Sequence, residues 1–280
     1  MLLRLVVVCC VVCVSQAWWW KKKQPEWNNL KVTFGANVFS SRVFADLPRT
    51  VDEARRKGWI MIDRCRNDGP FRGARYVKQN DFSVTLLYDV NGYIAGIQCG
   101  LLKGGLPHDF PPLPLRNVFQ EDGNDRVALT AYFTDPAIIC TTGRTSSTFQ
   151  EEGTGSNLYI QTGSDPLTQS SLIPRQEKDI AKTPWKRGRC FVGMGVHYWF
   201  NVTQNMSCDN FFPAFLLYND GKLNAFGWAL GIPQTSSRFE HPSRSSLSWF
   251  FDPVPSCLSQ QPDLSTMHIY LTSNPVLNVC

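Results

Sequence analysis

The chain has 280 residues, 43% of them hydrophobic, and a formal charge of +5 at pH 7. That length supports a sizeable core, and the mild charge, interspersed with acids, supplies no basic stripe for nucleic acid. Ten cysteines point to an oxidising compartment.

Residues 1–17 read as a signal peptide: Arg4, then an apolar run from Leu5 to Val14, then Ser15-Gln16-Ala17 at the cleavage point. The run is too short to span a bilayer, and no later stretch is a better candidate. The expected mature product is secreted, extracellular and free of integral membrane segments. Trp18-Trp19-Trp20 followed by Lys21-Lys22-Lys23 suits either contact with an anionic surface or a frayed terminus.

The one clear helix signal is Thr50 to Gly58. Thr50 and Glu53 form a capping box, Arg55 to Lys57 close the last turn and Gly58 stops it. The strand Trp59 to Ile62 follows. Phe82 to Tyr88, Asn91-Gly92 and Tyr93 to Ile97 read as a hairpin with a tight turn. Further strands are expected at Val127 to Phe133, Asn157 to Gln161, Phe191 to Phe200, Ala214 to Tyr218, Lys222 to Leu230, Ser246 to Phe251 and Thr266 to Leu271. Four prolines exclude Gly104 to Leu115 from any central strand.

Landmarks recur in one order. Leu86-Leu87-Tyr88 returns as Leu216-Leu217-Tyr218, and Tyr132 to Cys140 returns as Tyr270 to Cys280. Arg64-Cys65 with Gly73 and Tyr76 returns as Arg189-Cys190 with Gly195 and Tyr198. The expected fold is mainly β: antiparallel sheets from two duplicated units related by a pseudo-twofold, as a barrel or a sandwich, with one short helix. The units span 18–140 and 189–280, joined by a connection at 141–188, as halves of one compact domain. The repeat suggests the bridges Cys65–Cys140 and Cys190–Cys280, with Cys208–Cys257 inside the second unit and Cys99 left as a buried thiol. Asn201 and Asn205 head two glycosylation acceptors.

No familiar catalytic motif, phosphate loop or metal spacing occurs, so no cofactor is expected. His197 and His268 sit on aromatic-rich strands. With Tyr198, Tyr270 and Arg75 they form the candidate catalytic set: imidazoles for proton transfer, phenols or a guanidinium to meet a developing anion. The plain alternative for each is a satisfied core or strand-face residue. Tryptophans and phenylalanines crowd the second unit, as either a core or an apolar pocket requires.

Four segments carry a family resemblance: Leu129 to Cys140, Phe191 to Tyr198, Phe212 to Asn219 and Ser265 to Tyr270. They resemble secreted insect fatty acid hydroperoxide dehydratases, which are similar to lachrymatory-factor-synthase-like proteins. The resemblance implies a metal-free and cofactor-free lyase that converts a lipid hydroperoxide to a ketone, with His197 or His268 as base and Tyr198, Tyr270 or Arg75 as donor. The alternatives are a non-catalytic carrier of hydrophobic ligands and a structural secretion protein. Small apolar or lipid-derived molecules are the expected partners.

Overall fold

A computed structural model describes residues 24–33 and 44–280. Residues 1–17, expected to be a signal peptide, and the Trp18–Lys23 cluster lie outside the described residues. The described chain is built from fifteen strands and four short α-helices. The strands are β1 (Lys31–Thr33), β2 (Phe44–Asp46), β3 (Trp59–Asp63), β4 (Ala74–Lys78), β5 (Asp81–Tyr88), β6 (Ile94–Leu102), β7 (Gln120–Asp122) and β8 (Arg126–Tyr132). They continue as β9 (Leu158–Gln161), β10 (Ser170–Ile173), β11 (Trp185–Phe191), β12 (Gly195–Phe200), β13 (Ala214–Asn219), β14 (Lys222–Leu230) and β15 (Ser265–Tyr270). The helices are α1 (Val51–Arg56), α2 (Pro136–Ile139), α3 (Ser146–Glu152) and α4 (Glu177–Ile180). None is long and apolar enough to cross a membrane.

The expected helix forms as α1. Thr50 accepts from the Glu53 amide at 3.2 Å, while Glu53 reaches back to the Arg49 amide rather than to Thr50. Three further helices were not foreseen, being too short for periodicity to register.

All pairing is antiparallel, in two sheets ordered β11-β12-β13-β14-β15-β1-β2 and β10-β9-β8-β6-β5-β4-β3, with β7 added beside β8. They face each other as a sandwich. One buried cluster takes Tyr76, Leu86, Tyr88, Ile97, Cys99 and Phe133 from one sheet and Tyr198, Leu216, Tyr218, Phe226, Trp228 and Ile269 from the other. Alternate residues on each strand therefore face either this shared core or an outer surface.

The two sheets repeat one register. Tyr76 opposes Leu86, which opposes Ile97, which opposes Ala131; Tyr198, Leu216, Phe226 and Ile269 follow the same sequence of partners. Even the irregularity recurs, between Leu87 and Tyr88 and again between Leu217 and Tyr218. Tyr88 donates to the Pro48 carbonyl ahead of α1, and Tyr218 donates to the Pro174 carbonyl ahead of α4.

Each sheet is completed by strands from the other half of the chain. The hairpin β1-β2 extends the second sheet through Val32 opposite Ile269, and β9-β10 extends the first through Ile160 opposite Ala131. Residues 141–188, read from the sequence as a connection, thus contain a sheet-forming hairpin flanked by α3 and α4. Two strand readings also change. Phe191 to Phe200 is interrupted by a turn at 192–194, which separates β11 from β12. Ser246 to Phe251 instead runs through and just past a 3-10 helix, Arg244–Trp249, where the Leu247 carbonyl accepts from the Phe250 and Phe251 amides and Leu247 and Phe251 are buried.

Disulfides join Cys65 to Cys140, Cys190 to Cys280 and Cys208 to Cys257, and Cys99 is a buried thiol. Burial raises its pKa, which leaves it unreactive. Asn201 and Asn205 are exposed.

Candidate functional site

The outer faces of the two sheets carry different chemistry at equivalent positions. Strand alternation puts Arg75, Gln98, Thr130 and Tyr132 on the outer face of the first sheet. The matching register positions of the second are His197, Gly227, His268 and Tyr270.

On the first sheet these groups satisfy one another. Arg75 donates to both Asp122 carboxylate oxygens at 2.8 and 2.7 Å and to Gln98 Oε1 at 2.9 Å. Gln98 Nε2 donates to Thr130 Oγ1 at 3.0 Å, and the Tyr132 hydroxyl donates to Gln161 Oε1 at 3.0 Å. Asp122 is held below the usual carboxylate range by Arg75 and Arg126, which outweigh its burial. Such a closed, buried network is structural.

On the second sheet the same positions are left open. Both ring nitrogens of His268, the Tyr270 hydroxyl and Glu240 Oε1 are buried with no hydrogen-bond partner among the described residues. Glu240 Oε2 lies 3.0 Å from His268 Nδ1, an ion-pair distance without the alignment of a hydrogen bond. Glu240 is brought there by a two-way backbone bridge to Thr266, with N···O distances of 2.8 and 2.9 Å.

His197 and His268 sit with ring centroids 6.2 Å apart. His197 packs against Trp199, Phe215 and Phe250, and His268 packs against Phe215 and stacks on Tyr270. Burial, and then the neighbouring His268, lower the pKa of His197 to about 3, so it is neutral at neutral pH. Its Nδ1 lies 3.2 Å from the Arg189 carbonyl. A carbonyl only accepts, so Nδ1 carries the hydrogen and Nε2 keeps its lone pair. Burial, reinforced by Glu240, raises the Tyr270 pKa well above its ordinary value, so the phenol keeps its proton.

Gly227 makes room for this arrangement. A Cβ there would stand 2.2 Å from the Phe215 ring and 2.4 Å from the Met267 carbonyl, whereas Gln98 fills the matching position of the first sheet. The aromatic wall is completed by residues 231–264, which pack Leu247, Phe251, Leu258 and Leu264 onto Trp199, Phe215 and Leu217. What remains is a cavity of about 30 Å³ bounded by His197, His268, Glu240, Thr266 and Phe250. That volume suits one water-sized group.

The fold therefore gathers His197, His268 and Tyr270 and separates the other two candidates. Tyr198 points the opposite way, into the inter-sheet core, where its hydroxyl donates to Glu177 at 2.8 Å and its pKa is pushed up to about 12 by burial and by that carboxylate. Arg75 belongs to the closed network of the first sheet. His108 and His241 are exposed. Glu240 was missed: it stands in a loop with no period or motif, and only the backbone bridge delivers it. Among the described residues no group of three or more His, Cys, Asp or Glu side chains is placed to hold a metal ion.

No family model matches the chain, and no curated protein or solved structure matches it.

Proposed function

We propose that the protein is a secreted, cofactor-independent lyase of the dehydratase type, acting on a small apolar hydroperoxide such as that of a fatty acid. One observation carries this reading. A buried set of proton-exchanging groups is left unpaired at the positions where the duplicate sheet has closed its own network. Unpaired buried polar groups cost roughly 1–3 kcal/mol each, so their retention points to a role.

In the proposed step, His268, oriented by Glu240, takes the proton from the peroxide-bearing carbon. The C–H electron pair becomes the new C=O bond, and the O–O bond breaks. The distal oxygen leaves as hydroxide and takes a proton from Tyr270, so ketone and water form, and His268 returns its proton to the tyrosinate. Carbon is oxidised and peroxide reduced within one molecule. The cavity matches the leaving group in size.

Incubation with linolenic acid hydroperoxide and its methyl ester, chelator present, should produce conjugated dienone absorbance. Deuterium on the peroxide-bearing carbon should slow that formation. No absorbance with either substrate would reject the reading. The carrier reading retains one supporting feature, an apolar hollow beside the cavity, and predicts tight binding of apolar molecules without turnover.

A further inference from the structure

The hollow beside the histidine cavity has a volume of about 210 Å³ and is walled by Phe110, Phe119, Phe211, Leu230, Ile232 and Leu258. Phe110 lies within the proline-rich stretch between β6 and β7 and Phe119 just after it, and the other four belong to the second unit. Both halves of the chain build it.

Hollow and cavity are separated by a single layer of side chains. Ala229, which lines the hollow, is the cross-strand partner of Thr266, which lines the cavity. Directly opposed residues of this kind stand about 5 Å apart. Phe211 lines the hollow, and its ring lies 5.9 Å from Trp199 and 6.1 Å from Phe251, both of which line the cavity. A ligand filling the hollow therefore ends against the wall behind which His268 and Tyr270 sit.

The charges nearby restrict the ligand. Asp109 and Asp209 stand exposed at the hollow's edge, and no Lys or Arg lines it. A carboxylate bound there meets like charge. In the cavity His197 is neutral, and a carboxyl group, Glu240, lines the wall. The hollow offers no side-chain cation to an anionic head. The hollow is also smaller than the roughly 300–1,000 Å³ of ordinary small-molecule sites, which fits a short hydrocarbon segment.

We infer that the hollow is a tail subsite adjoining the histidine site, and that its ligand is an uncharged amphiphile: a short hydrocarbon chain in the hollow with a neutral oxygenated group at the side-chain layer that covers His268. This inference rests on the proposed function for its second half and on the hollow's geometry for its first.

The test is displacement of a solvatochromic naphthylamine probe by octanol, dodecanol and dodecanoate. It is run on the wild type, Gly231→Trp, Gly231→Leu and His268→Ala, each checked for a wild-type thermal transition. Gly231 lines the hollow, and an added Cβ there meets nothing within 4 Å, so these side chains enter open space. The alcohols should displace the probe at least tenfold better than the carboxylate. A folded Gly231 variant should bind them at least tenfold more weakly, and His268→Ala should shift binding less than threefold. Equal binding in a folded Gly231 variant, or preference for dodecanoate, would overturn the inference. Weakened binding in that variant, with no hydroperoxide turned over by the wild type, would retain the subsite and remove the lyase. Turnover with binding unchanged in the variant would do the reverse.

Discussion

His197 is an imidazole enclosed by rings, and its neutrality makes the fold sensitive to acid. Its pKa is lowered in the folded state from the ordinary 6.5 to about 3, so between these values the unfolded chain binds the extra proton. Its contribution to stability is complete above pH 6.5 and is lost as pH falls toward 3. Between pH 7 and pH 5 it amounts to about 2 kcal/mol. Denaturant titrations should show His197→Phe losing less stability than the wild type over that interval; parallel losses would contradict the assignment. Tyr270 and Tyr132 occupy equivalent positions, but the first hydroxyl is unpaired and the second is hydrogen-bonded. Tyr270→Phe should therefore leave stability within about 0.5 kcal/mol of wild type or raise it, whereas Tyr132→Phe should cost about 1–2 kcal/mol. Asp122→Ala should cost about 3–5 kcal/mol, because it strands Arg75 in a buried position.

Secondary elements divide into those whose reason is local and those that need the whole sheet. The turn at Asn91-Gly92, with Gly92 at φ +81°, and the Thr50 cap of α1 are local, and both were legible in the sequence. The strands β5, β6, β13 and β14 were legible because β-branched and aromatic residues run up to clear turn residues. The stretch 246–251 misled because Ser246 to Phe251 is apolar enough for a strand, yet it is fixed by tertiary contact of Leu247 and Phe251 with Trp199 and Phe215. His197, His268 and Tyr270 were legible by strand parity. Glu240 was not, since a long excursion separates β14 from its bridge to β15. The Cys208–Cys257 bridge, with a sequence separation of 49, ties this excursion back to the stretch ahead of β13. A double Cys→Ser variant should lose up to about 4 kcal/mol by the chain-entropy argument, with the loss read as a lower thermal midpoint. An unchanged midpoint would mean that the wall over the histidines is held by packing alone.

Across the whole molecule the repeat is more than two similar halves side by side. Each half lends a hairpin to the sheet of the other, β1-β2 to β15 and β9-β10 to β8. The shared core between the sheets then draws on described residues from Trp27 to Leu271. Unfolding should be one cooperative transition, with near-UV and far-UV circular dichroism coincident; two separated transitions would contradict the exchange. Duplication also explains how one scaffold holds both a closed polar network and an open one. The same register that holds Arg75 and Gln98 in one sheet holds His197 and Gly227 in the other, and the missing side chain at Gly227 leaves room for the Phe215 ring that packs on both histidines. The deciding measurement is dienone formation from the hydroperoxide methyl ester by the wild type and by His268→Ala, both with intact thermal transitions. A loss of two to four orders of magnitude in the variant is predicted; equal rates in the two proteins, or no rate in either, would contradict it.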